Sequence, residues 1–116
     1  MSKAANTAKA SIQINATELV LSTPSANADR EILRVRWSDV GRVVAFKRDV
    51  LAYDLICCVV EGSHSIVELN EEMAGWDELM MALPRFLPGA RKPEEWWSDV
   101  AQPPFATSLT RLFERR

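Results

Sequence analysis

At 116 residues, 47% hydrophobic and 26% charged, the chain has material for one hydrophobic core without disulfide or metal staples. A net charge of −2 argues against a dedicated nucleic-acid binder, and the lack of any continuous apolar run of about 18 residues argues against a membrane-spanning helix. The charge is unevenly spread: residues 30–48 carry six basic and two acidic side chains, whereas residues 49–78 carry eight acidic ones and no Lys or Arg. The two runs either pair across a hairpin or form a dipolar surface that selects a charged partner.

Residues 1–10 lack the apolar core of a signal peptide and are expected to be disordered. Residues 11–70 read mainly as strands. Ser11–Asn15 alternates, Asn15-Ala16-Thr17 turns, and Glu18–Ser22 returns. Thr23–Asp29 has loop composition. From Glu31 the pattern is strand, a tight Trp37-Ser38-Asp39-Val40 corner, then strand. Leu33, Val35 and Trp37 share one face and are expected in the core, Arg34 and Arg36 take the other, and Asp39 is expected to cap the turn.

Val43–Lys47 forms the next strand, and Arg48-Asp49 turns into Ala52–Glu61. There Leu55-Ile56-Cys57-Cys58-Val59-Val60 is apolar at every position, so both faces need cover. The adjacent cysteines point to opposite faces, which fits buried thiols in a reducing compartment and not a disulfide or metal site. Gly62-Ser63 turns into the strand His64–Leu69. Beyond Asn70 the period changes. Trp76, Leu79, Met80 and Leu83 stand at i, i+3, i+4 and i+7, predicting a helix over 74–87 that Pro84 ends or kinks. Pro93 opens a short second helix over 93–101. Gln102-Pro103-Pro104 breaks it, and a tail over 105–116 reads as extended because Thr107 and Thr110 disfavour helix. Strands first and helices last make the fold class α+β and antiparallel, within a single domain.

Leu33, Val35, Trp37, Asp39, Val40 and Val43, in this order of elements, resemble the strand and corner of pleckstrin-homology-like domains, of which small bacterial members are often single domains of unknown function. The resemblance covers residues 11–90. It implies a curved sheet or barrel closed by a C-terminal helix. The short second helix and tail at 93–116 are additions to that pattern. Lys9 is the only basic residue near the loop between the first two strands, so phosphoinositide binding is not carried over.

No metal, nucleophile or phosphate-loop motif occurs, so no catalytic residue, cofactor or metal is expected and the chain is read as a non-enzyme. His64 is the only histidine; an arrangement with Cys57, or with a serine and Asp54, is conceivable, but no motif assembles one. The carboxylate pairs Glu71-Glu72, Asp77-Glu78 and Glu94-Glu95 fit helix starts better than acid–base work. Trp96 and Trp97 diverge by about 100° on a helix, so one can pack, with Phe105, while the other faces outward. Arg34 and Arg36, with Arg42 and Lys47 on a neighbouring strand, could form a basic face. Trp96, Trp97, Arg34 and Arg36 are therefore the candidate partner-binding residues. The expected function is a cytoplasmic protein-interaction domain, with a protein partner or a second copy of itself. The alternatives are a small enzyme or ligand-binding domain with a pocket between sheet and helix and, more weakly, a membrane-surface binder. Nucleic acid and lipid are disfavoured as partners.

Overall fold

The computed structural model describes residues 10–24, 30–49, 53–101 and 109–115. Three strands, β1 (Ser11–Ile14), β2 (Glu18–Pro24) and β3 (Arg30–Arg36), pair antiparallel in the order β1-β2-β3. A single 3-10 turn, Trp37–Asp39, then carries the chain out of this sheet. Strands β4 (Val40–Asp49), β5 (Asp54–Gly62), β6 (Ile66–Asn70) and β7 (Thr110–Glu114) form the second antiparallel sheet, ordered β6-β5-β4-β7. Helices α1 (Trp76–Phe86) and α2 (Pro93–Ala101) lie between β6 and β7 in the chain. The fold is α+β, with two antiparallel sheets and two helices, and neither sheet closes on itself among the described residues. Within the tail, Thr110–Glu114 is extended and adds to the edge of β4. The expectations for residues 1–9, for the 102–104 break and for Phe105 and Thr107 lie outside the described residues.

The corner is held by the hairpin beside it. The Trp37 indole N–H donates to the Asn15 carbonyl at 2.8 Å, and the Trp37 backbone N–H donates to Thr17 O at 3.0 Å. Trp37 stacks on Phe86 with centroids 5.4 Å apart. Arg115 reaches back from beyond β7 to the carbonyls of Val40 and Trp37, at 2.8 and 3.0 Å. Asp39 does not cap the turn as expected. The residue at the capping position is Arg36, it makes no side-chain capping bond, and the Asp39 side chain is exposed.

One core is shared by both sheets. Ile12, Leu19, Leu21 and Val35 meet Val43, Ala45, Ile56, Cys58 and Val60 across it. Helix α1 contributes Trp76, Leu79, Met80 and Leu83, the face its spacing predicts, each worth roughly 1.5–3 kcal/mol when fully buried. Pro84 does not end α1, which runs on to Phe86. The helix starts at Gly75, in left-handed backbone at φ 94°, and Ala74 forms a parallel bridge to Ser11. The Ile12 N–H donates to Ala74 O at 2.7 Å, which occupies the outer edge of β1.

Helix α2 lies on the core side of the second sheet, against β4 and β7. Trp96 and Val100 belong to the same core cluster as Val43 and Leu112. The second helix therefore does not cover the outer face of β5. Among the described residues, that face carries Val44, Phe46, Leu55, Cys57 and Val59, sheltered by long polar side chains. Arg48 lies over the Phe46 ring and pairs with Glu68 at 2.6 Å, so the two bridge across β5 above Cys57. Both thiols are free and fully buried. Burial pushes the Cys58 thiol up to about 12; burial also raises the Cys57 thiol, while Arg48 beside it pulls the other way.

The opposed charge runs pair across the β4–β5–β6 hairpins. Arg42 meets Glu61 at 2.8 Å, Arg48 meets Glu68, and Lys47 meets Asp54 at 3.5 Å. Two of the three carboxylate pairs stand in first helical turns: Asp77-Glu78 on α1 and Glu94-Glu95 on α2. Glu71 and Glu72 do not. Glu71 accepts the Ile56 N–H at 2.8 Å, and Glu72 accepts the Tyr53 hydroxyl, so this pair ties down the start of β5.

Candidate functional site

Strand β3 is exposed at every position except Val35. The hydrophobic face expected of it is interrupted: Val35 and Trp37 enter the core, but Leu33 is 39% exposed and Ile32, on the opposite face, 47%. The strand runs past the edge of the core, so its first half projects beyond the apolar cover. Nothing among the described residues pairs with its outer edge.

The hydrogen-bond pattern says which backbone groups that edge presents. In an antiparallel pair, residues alternate between those bonded to the neighbour and those pointing away. Trp37 N–H bonds Thr17 O, and the register continues Glu18↔Arg36, Leu19↔Val35, Val20↔Arg34. Val35, Leu33 and Glu31 are thus the residues bonded to β2. Arg36, Arg34, Ile32 and Arg30 point their N–H and C=O groups outward. The bond from Asn15 N–H to Glu18 O fixes the same alternation on the other side of β2.

The side chains of Arg30, Ile32, Arg34 and Arg36 share one face of the strand. Arg34 pairs with Glu18 at 2.6 Å and stays largely exposed. Arg36 is exposed and makes no side-chain hydrogen bond or ion pair among the described residues. At the Arg36 end the strand meets the β5–β6 turn, where a Cβ on Gly62 would stand 3.0 Å from Val35 Cγ1. A concavity of about 300 Å³ opens there, lined by Arg34, Arg36, Asp39, Ser63 and His64 among others.

Two of the four candidate residues, Arg34 and Arg36, are therefore brought together, with His64 beside them. The other two are not. Trp96 is 1% exposed in the core and offers no surface; Trp97 is 37% exposed on α2, its ring tilted against that of Trp96 with centroids 5.5 Å apart. The extended basic face does not exist either. Arg42 and Lys47 belong to the other sheet, and Lys47 is 3% exposed, donating to Ala101 O at 2.7 Å. Asp54 starts β5 and His64 lies past its end, roughly 30 Å of strand away, so no Ser/His64/Asp54 arrangement forms. Among the described residues, no three His, Cys, Asp or Glu side chains converge as a metal site, and no helix is long and apolar enough to cross a membrane.

The sequence alone singles out neither Ser63 nor Ile32. Ser63 carries no signal beyond its turn. The exposure of Ile32 follows from β3 being an edge, which local alternation does not report.

Compared with protein-family models, curated proteins and solved structures, the chain matches none.

Proposed function

We propose that this chain is a non-catalytic protein-interaction domain that takes up an extended segment of a partner along the edge of β3 that no described residue covers. The observation that carries this reading is the row of outward-pointing backbone groups at Arg30, Ile32, Arg34 and Arg36 on a seven-residue strand. Such an edge is a template for a further strand, with main-chain bonds for affinity and side chains for selection. The other edges offer less. That of β1 is occupied by Ala74, Arg91 N–H bonds Leu112 O on β7 at 2.9 Å, and β6 is shorter. The pleckstrin-homology-like kinship of residues 11–90 belongs to the same proposal. Its support is the order of elements: hairpin strands, a corner between two sheets, then a helix.

Ile32→Pro tests the reading. The Ile32 amide points away from β2, so proline removes a donor for the partner and none for the fold. Peptides selected from a random displayed library on the native protein should lose binding to Ile32→Pro and keep it with Ile32→Ala, both variants remaining folded by circular dichroism. Equal binding to the proline variant overturns the reading.

A second reading, a small-ligand site between sheet and helix, has one observation behind it. A concavity of about 490 Å³ lies between Ile14-Asn15-Ala16 and α1, with Met81 and Phe86 on its wall. A ligand site needs polar groups converging in an apolar interior. Here Glu78 and Arg85 stand exposed, which leaves the edge reading the stronger.

A further inference from the structure

We infer that the segment taken up by β3 is acidic and antiparallel, with carboxylate side chains two residues apart opposite Arg36 and Arg34 and an apolar side chain opposite Ile32. The inference rests on the edge reading above and adds the chemistry of the partner.

The geometry of the edge sets the spacing. Arg36, Arg34 and Ile32 direct their backbone groups outward, so each forms a directly opposed pair with one residue of an added antiparallel strand. Opposed side chains lie on the same face with Cβ atoms about 5.5 Å apart or closer, within reach of an ion pair. Read from its N-terminus, the partner's pattern is acid, any, acid, any, apolar. The residues between face the other side, and the last of them meets Leu33, which is half exposed and favours an apolar neighbour.

Charge selects the sign. Arg36 has no carboxylate among the described residues, and Arg34 has only Glu18, leaving its own side chain 61% exposed. An added strand with lysine at these positions sets like charges directly opposite one another, whereas carboxylates there share Arg34 and neutralise Arg36.

The same row of arginines excludes a second copy as occupant. A two-fold pairing of β3 with itself must keep corresponding faces together, so it is centred on a single residue. Centred on Leu33, it sets Arg30 against Arg36 of the second copy; centred on Ile32, Arg30 against Arg34; centred on Arg34, Arg34 against itself. Each of these registers opposes arginine to arginine, and one centred on Glu31 opposes Glu31 to Glu31, so like charges meet in all of them, the arrangement by which edge strands avoid their own kind. A partner with the opposite charge meets no such penalty.

The test uses a fluorescein-labelled nine-residue peptide whose centre reads Glu-Val-Glu-Val-Val, an analogue with both glutamates replaced by lysine, and a backbone N-methylated form of the first. Binding is read by anisotropy at low salt, and the bound strand by amide hydrogen exchange at Ile32, Arg34 and Arg36. The acidic peptide should bind at least about tenfold tighter than the lysine analogue. It should slow exchange at those three amides, weaken with added salt and lose binding on N-methylation. Arg36→Glu, which disturbs no ion pair among the described residues, should narrow or invert the preference. Arg34→Glu/Arg36→Glu should turn it fully toward the lysine analogue.

Equal binding of the two peptides with protection of the β3 amides overturns the acidic partner and leaves the edge reading standing. No protection by either peptide overturns both. A dimer by light scattering that Ile32→Pro dissolves overturns the inference in favour of a second copy.

Discussion

Gly75 and Ile12 approach so closely that a Cβ on Gly75 would stand 2.1 Å from the Ile12 carbonyl oxygen. Gly75 also holds φ 94°, where an L side chain is strained. Two elements depend on this junction, the start of α1 and the covered edge of β1. Gly75→Ala should therefore destabilise the fold by about 2–3 kcal/mol, read as a lower urea midpoint. Gly89→Ala, at φ 92° but with nothing near its Cβ, should cost about 1 kcal/mol.

Lys47 is held inside the core by Ala101 O and Asp54, where it ties the end of α2 to β4 and β5. Lys47→Met keeps the apolar stem and takes the ammonium away from the carboxylate and the carbonyl. We expect a loss of about 3 kcal/mol, smaller when combined with Asp54→Leu, because removing one partner of a buried pair costs more than removing both. Denaturation of the two singles and the double measures the coupling.

Cys58 carries a thiol pushed up to about 12 by burial. The folded state binds this proton more tightly than the unfolded state does. The corresponding stability is present in full below the unfolded thiol's value, near 9, and is lost as pH rises from there toward 12. The alkaline decline in stability should be shallower in Cys58→Ala than in the native protein, by up to about 4 kcal/mol at pH 12. Urea titrations across that range give the comparison.

Cys57 is sheltered on the outer face by Phe46 and the Arg48–Glu68 bridge. In the native protein both thiols should react with a thiol reagent only as fast as the molecule unfolds. Arg48→Ala should open Cys57 to the reagent under native conditions and leave Cys58 inert. Labelling followed by peptide mass mapping distinguishes the two.

Trp96 and Trp97 are neighbours with opposite fates. Trp96→Ala removes the largest fully buried side chain among the described residues and should cost about 3–5 kcal/mol. Trp97→Ala should stay within about 1 kcal/mol of the native protein. If it also leaves binding of the acidic peptide unchanged, the exposed indole lies outside the docking surface.

Much of the local architecture was legible in the chain. The Trp37–Val40 corner, the buried face of α1 and the start of α2 follow from nearby residues. Alternation stops at the corner, apolar side chains recur every three or four residues on α1, and Pro93 preorganises the first turn of α2. In α2 the Glu95 carboxylate also reaches back to the Lys92 N–H at 2.9 Å, a local capping contact. The candidate site was legible in half. Alternation placed Arg34 and Arg36 on one face, but nothing in their neighbourhood said that β3 would be an edge.

The amino-acid order settled what each segment is: strand, corner or helix, and which of its faces is apolar. Those properties arise from neighbouring residues through backbone preference and side-chain period. Assembly in three dimensions settled where each segment goes. It left the outer edge of β3 without a neighbour among the described residues, put α2 on the same side of the second sheet as α1, and turned Lys47 inward. These outcomes depend on partners far along the chain, such as Lys47 with Ala101, Arg115 with Trp37, and Val44 with Arg111. Strand order and burial are set by which distant surfaces meet, and a local period is the same for an edge strand as for a central one.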